Sequence, residues 1–167
     1  MMRLVITILF LIIASITDLK FNKVKNPHIL IFMFIGLIMN SFAFGFEGLT
    51  IAFIGVMIPL VIGYPLFLLG IIPAGDVKMF MALGAINGIH NTGRLVMITL
   101  LLGGIYSIFL LIKRKDFSGF FSFYHYLKEM VITRKLFPYD TQKSIRFPLA
   151  PVTFISYLAF IFFFDML

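Results

Sequence analysis

Two aspartates interrupt apolar sequence. Asp18 ends the run Met1 to Thr17, and Asp76 opens another within Pro73-Ala74-Gly75-Asp76-Val77-Lys78. A carboxylate at a membrane edge costs a few kcal/mol or more unless a partner or water compensates it, so each is a candidate for function. The other five of the seven acidic residues, Glu47, Asp116, Glu129, Asp140 and Asp165, fall in polar connections or at the end of the chain. Asp18 is therefore the candidate partner of Asp76. Two carboxylates held close share one proton: the ionised member takes a proton from water while the protonated member polarises a carbonyl. That is the chemistry of aspartic peptide hydrolysis. The plainer alternative is that each acid caps a helix or pairs with a lysine, and the occurrence of two together favours catalysis. Lys20 and Lys78 each follow an aspartate by two positions, a spacing that does not bring side chains face to face on a helix. Lipid headgroups reached by snorkelling are the favoured destination of both ammonium groups, with substrate positioning as the alternative. Gly75 precedes Asp76 directly; lacking a Cβ, it is expected to support the active-site turn through close backbone approach or positive φ.

The elements that must position these residues are apolar helices. The chain is 61% hydrophobic and 13% charged, which predicts an all-α polytopic membrane protein with a single domain over residues 1–167. Six transmembrane helices are expected. The first ends at Thr17, and a polar loop from Asp18 to the Asn26-Pro27 turn follows. The second covers His28 to Phe44, the Gly45-Phe46-Glu47-Gly48 turn reverses the chain, and the third runs from Leu49 to about Ile72, with Pro59 and Pro65 as kinks. The fourth, from Asp76 to about Ile89 before the turn residues Gly88, Asn91, Thr92 and Gly93, is short for a crossing. It must extend through Asp76 and Lys78, meet a thinned bilayer, or lie deep among its neighbours. Within it Gly84 and Gly88 have the spacing that lets helix backbones approach. Arg94 to Ile112 is the fifth span and Phe147 to Leu167 the sixth. In the connection between them, Phe117, Phe120, Phe121, Tyr124 and Leu127 suggest an amphipathic helix on the membrane surface.

Charge orients this bundle. The net charge is +7, but the basic residues lie in short blocks between apolar runs, where they set topology and meet anionic lipid rather than nucleic acid. Lys20, Lys23, Lys25, Lys78, Lys113, Arg114, Lys115, Lys128, Arg134, Lys135, Lys143 and Arg146 fall in the odd connections, leaving only Arg3 and Arg94 of the 14 basic residues on the other side. The odd connections are thus expected in the cytoplasm, with Asp18 and Asp76 at that face and both termini outside. The chain has no cysteine, which removes thiol nucleophiles and Cys-based zinc sites. His28, His90 and His125 are too scattered to suggest a metal, and no cofactor is implied.

At these residues the chain resembles the type IV prepilin peptidases, polytopic aspartic proteases. Their first catalytic aspartate ends a helix and is followed by Lys and a Pro-Asn or similar turn, as in Asp18-Leu19-Lys20 through Asn26. Their second closes Gly-x-Gly-Asp before Val-Lys, whose latter part is matched by Ala74-Gly75-Asp76-Val77-Lys78. Pro148-Leu149-Ala150-Pro151 looks like a third family segment, which leads into the last helix. Two positions depart: Pro73 replaces the first motif glycine, and Lys25 stands where proline commonly precedes the asparagine. The resemblance implies that Asp18 and Asp76 are catalytic and that the substrate is a pilin-like precursor cut at the cytoplasmic face of the cytoplasmic (inner) membrane. Larger members carry a cytoplasmic methyltransferase region, often with paired cysteines. The short Asp18 to Pro27 connection leaves no room for it, so the compact tight-adherence (Flp) type is expected. An ion-coupled transporter and a structural subunit of a pilus or secretion machine are the rival readings.

Overall fold

The computed structural model describes residues 2–21, 23–69, 72–114, 125, 128 and 148–164. Four helices account for nearly all of them: α1 (Met2–Phe21), α2 (Asn26–Leu68), α3 (Ala74–Arg114) and α4 (Leu149–Phe164). No strand occurs among the described residues. Apolar runs of this length become helices because hydrocarbon offers backbone amides no partner, and a helix satisfies them internally. Three of the helices are long and apolar enough to cross a membrane. The expected surface helix around Phe117 to Leu127 lies outside the described residues.

Side chains are distributed as lipid requires. Phe42, Phe46, Met97 and Leu101 point outward with 69 to 88% of their surface exposed, while Thr7, Thr99, Thr153 and Ser156 are fully buried. Large apolar groups on the outside and small or hydroxyl-bearing ones between helices are the pattern of helices packed in hydrocarbon. This is a membrane protein. Its innermost cluster joins Phe10, Leu11 and Ala14 of α1 to Met79, Leu83 and Ile86 of α3 and Tyr157 and Phe160 of α4.

Both long helices are broken by a glycine. Gly45 in α2 has φ 59° and ψ −140°, and Gly88 in α3 has φ 73° and ψ 175°. Such backbone is readily reached only without a Cβ. Each break reverses the chain. A Cβ on Gly48 would strike the Asn40 carbonyl oxygen, and the Thr92 hydroxyl donates to the Leu83 carbonyl at 3.1 Å, although residues eight or nine apart on a straight helix stand about 12–13 Å apart. α2 and α3 therefore each consist of two legs, and with α1 and α4 the described residues form six.

The first leg of α3 lies between the two legs of α2. Gly36 abuts the backbone of Ala85 and Ile86, Gly55 meets Gly84 backbone to backbone, and Gly63 receives the Val77 side chain. Gly84 thus makes the close approach expected of it. Gly88, one of the turn residues expected there, is the turn itself.

Polar residues secure the same break. The Asn40 amide donates to the carbonyls of Gly36, Ala85 and Ile86 at 2.9, 2.8 and 3.2 Å, and Arg3 donates to Asn40 Oδ1 at 2.5 Å. Thr7 and Asn87 exchange hydrogen bonds beside them. The carbonyls that a broken helix leaves unpaired are thereby capped from a neighbouring leg. Pro59 and Pro65 lie within α2, but Gly45 is the only residue there with non-helical backbone, so neither proline breaks the helix.

Arg3, Asn40, Gly45 and Gly88 occupy one end of the bundle. Asp18, Asn26, Asp76, Lys78 and Ala150 occupy the other, tied by the Lys78–Asn26 and Ala150–Asp18 hydrogen bonds.

Candidate active site

Asp18 sits in the last turn of α1, which continues to Phe21 rather than stopping at Thr17. Helical periodicity places it on the face of Leu11, Ala14 and Ser15, the face α1 turns toward the bundle, so the carboxylate is buried with only 6% of its surface exposed. Its partner comes from the far end of the sequence. The Ala150 amide donates to Asp18 Oδ2 at 3.0 Å, and the Leu149 amide interacts with the same carboxylate. These are the first residues of α4, whose amide groups have no partner within their own helix. Pro151, next in line, has no amide hydrogen to offer. Asp18 is thus an N-terminal cap supplied by a different helix.

Asp76 occupies the first turn of α3, which begins at Ala74, so the fourth leg does extend through both Asp76 and Lys78. Its amide donates to the Pro73 carbonyl at 3.1 Å, and its side chain is half-buried. The carboxylate is close enough to Asp18 for the two charges to interact through space. No lysine or arginine among the described residues acts on either acid. The fold therefore brings together two acids from different helices, 58 residues apart in sequence, with no cation of the described residues paired to either. Two interacting carboxylates disfavour ionising together.

The other site candidates are placed differently. Lys78 is exposed and donates to Asn26 Oδ1 at 3.3 Å, on a face of α3 turned away from Asp76. Lys20 is exposed, with its ammonium 5.7 Å from the centre of the Phe21 ring, and Lys25 reaches the same ring at 4.6 Å. Gly75 lies in the first turn of α3 with no positive φ, and an added Cβ would meet nothing within 4 Å. Neither strained backbone nor intramolecular packing requires glycine there.

The contact of Asp18 with α4 was not deduced from the sequence, although Pro148 to Pro151 marked the segment. Ser15 was also passed over. One turn before Asp18, it buries a hydroxyl that has no protein partner. Among the described residues no group of three or more His, Asp or Glu side chains is placed to hold a metal ion.

The model of the type IV leader peptidase family matches residues 5–108, which include Asp18 and Asp76 but not the α4 segment that caps Asp18. Comparison with curated proteins and with solved structures returned no match.

Proposed function

Because the chain belongs to the type IV leader peptidase family, we propose that this membrane protease is an aspartic endopeptidase with Asp18 and Asp76 as its catalytic pair. It removes the short basic leader of pilin-like precursors at the cytoplasmic face of the membrane. The observation that carries the reading is that these two acids, brought by different helices to one end of the bundle, lie close enough for their charges to interact. The ionised carboxylate takes a proton from water as its oxygen attacks the scissile carbonyl carbon. The protonated carboxyl gives its proton to the carbonyl oxygen. The tetrahedral diol then collapses: the carboxyl that took the proton from water gives it to the departing nitrogen as the C–N bond breaks, and the other carboxylate takes a proton from a diol hydroxyl, which restores the pair.

The dipole of α1 alone would give the shared proton to Asp18, because its negative end faces that residue while the positive end of α3 faces Asp76. The N-terminus of α4 presents the opposite sign to Asp18. The two helices oppose each other there, so dipoles do not divide the roles.

Six crossings, one per leg, place the acids, Lys20 and Lys78 on one side of the membrane, and the distribution of basic residues makes that side the cytoplasm. The substrate is a single-span protein whose hydrophobic helix enters laterally, with the cleavage site at the interface beside the open space at Gly75. Lys20, exposed beyond the end of the Asp18 turn, is the better placed of the two lysines to position it. Transport is a weaker reading, since ion-coupling acids lie near the middle of broken helices, and both acids here lie at one end of the bundle. A structural subunit would tolerate asparagine at both positions. The test is incubation of the purified protein with pilin-like precursors from the same genome, followed by sequencing of the new N-terminus. A single defined cut supports the reading, and absence of any cut across all such precursors rejects it.

A further inference from the structure

A groove of about 490 Å³ lies at the same end of the bundle as the acids but behind α3. Its walls are Ile29 and Met33 from the first leg of α2 and Leu60 and Tyr64 from the second, and α3 contributes Val77 and Lys78. Helix geometry separates it from the catalytic pair. At about 100° per residue, Ala74, Val77, Lys78 and Met81 share one face of α3, and Asp76 points roughly 150° away from that face. Tyr64 and Phe67 on the rim are 52% and 41% exposed, so the groove opens sideways toward the hydrocarbon.

We propose that this groove binds one anionic glycerophospholipid, its phosphate at Lys78 and an acyl chain along the apolar walls. Size excludes a peptide helix from its interior: a cylinder about 10 Å wide has a cross-section near 80 Å², so the volume holds only about one helical turn. A single file of methylenes fits. Lipid tails gain little by moving from the bilayer to an apolar wall, so selectivity rests on the headgroup. Lys78 Nζ gives one of its three donors to Asn26 and leaves two for an anion. Tyr64 lies near the level of Val77, since Gly63 receives the Val77 side chain, and there its ring suits the headgroup boundary. The bound lipid braces the back of the α3 leg whose front carries Asp76. The inference requires a membrane protein and does not depend on the peptidase reading.

Native mass spectrometry tests it on the full-length protein released from nanodiscs of phosphatidylglycerol or phosphatidylcholine. One retained phosphatidylglycerol is expected, with weaker retention of phosphatidylcholine. Lys78→Gln should reduce phosphatidylglycerol retention about fivefold, the scale of one lysine at an anionic surface, and Lys78→Arg should restore it. Lys78 is exposed, so these variants leave the packing intact. Leu60→Trp, which fills the groove without altering Lys78, should also expel the lipid. Equal retention of the two lipids, or no effect of Lys78→Gln, overturns the proposal. Displacement by inorganic phosphate alone overturns the lipid assignment in favour of a bare anion site. Asp18→Asn should retain lipid as the wild type does, which keeps this outcome separate from loss of cleavage.

Discussion

The Ala150 amide donates to Asp18 Oδ2 at 3.0 Å across 132 residues of sequence, so the first acid of the pair is held by the helix that ends the chain's last described leg. The bond fixes one carboxylate oxygen. It also gives Asp18 a structural duty that can be separated from a catalytic one. Asparagine keeps an oxygen that can accept from Ala150, whereas alanine leaves the first amides of α4 without a partner. Asp18→Asn should therefore unfold close to the wild-type temperature in detergent, and Asp18→Ala should be less stable by about 1–2 kcal/mol, the usual worth of a helix N-cap. Equal stability of the two variants would show that the bond contributes nothing.

Glycine substitutions should divide sharply. At Gly55 and Gly84 a new Cβ strikes the opposing backbone, which cannot rotate aside, so either change to alanine should cost about 1–3 kcal/mol or more. Gly75→Ala meets open space and should leave stability unchanged. If cleavage by Gly75→Ala nevertheless falls, the space beside Asp76 serves the substrate. Thermal unfolding and cleavage, measured on the same preparations, separate these effects.

Asn40 is 2% exposed and caps two carbonyls, those of Ala85 and Ile86, just before the α3 break. Asn40→Leu should destabilise the protein by about 1–2 kcal/mol, near the upper range for polar contacts between membrane helices. Unfolding unchanged by Asn40→Leu would mean that water or lipid satisfies those carbonyls instead.

The acids and both reversals were legible because charges and turn residues are rare in such an apolar chain. Gly45-Phe46-Glu47-Gly48 announced the first reversal, and Gly88, Asn91, Thr92 and Gly93 announced the second. The reversal falls at Gly88 because Asn40 and Thr92 reach back to cap the carbonyls before it. Asn40 itself was overlooked, although an amide inside a long apolar run is a signal of inter-helix bonding. The capping of Asp18 by Ala150 was beyond reach, since helix order does not say which leg closes on which. Of the two uses expected of Gly75, positive φ does not occur, because Asp76 lies within a regular first helical turn, and close approach by a substrate is the use that Gly75→Ala tests.

Topology follows from the alternation of legs. Single cysteines at Lys23, Lys78 and Lys128 should be labelled from the cytoplasmic side, and those at Glu47 and Asn91 from the other. The native chain has no cysteine to give a background. Labelling of Glu47 and Lys78 from the same side would contradict the six-crossing reading.

Cleavage of a pilin-like precursor by purified Asp18→Asn, Asp76→Asn and the double variant tests the paired-acid account most directly. Two acids working as one unit are not additive, so each single change should abolish cleavage as completely as both together. All three proteins should remain folded and inserted in the membrane. Substantial cleavage by either single variant would mean that Asp18 and Asp76 are not the catalytic pair.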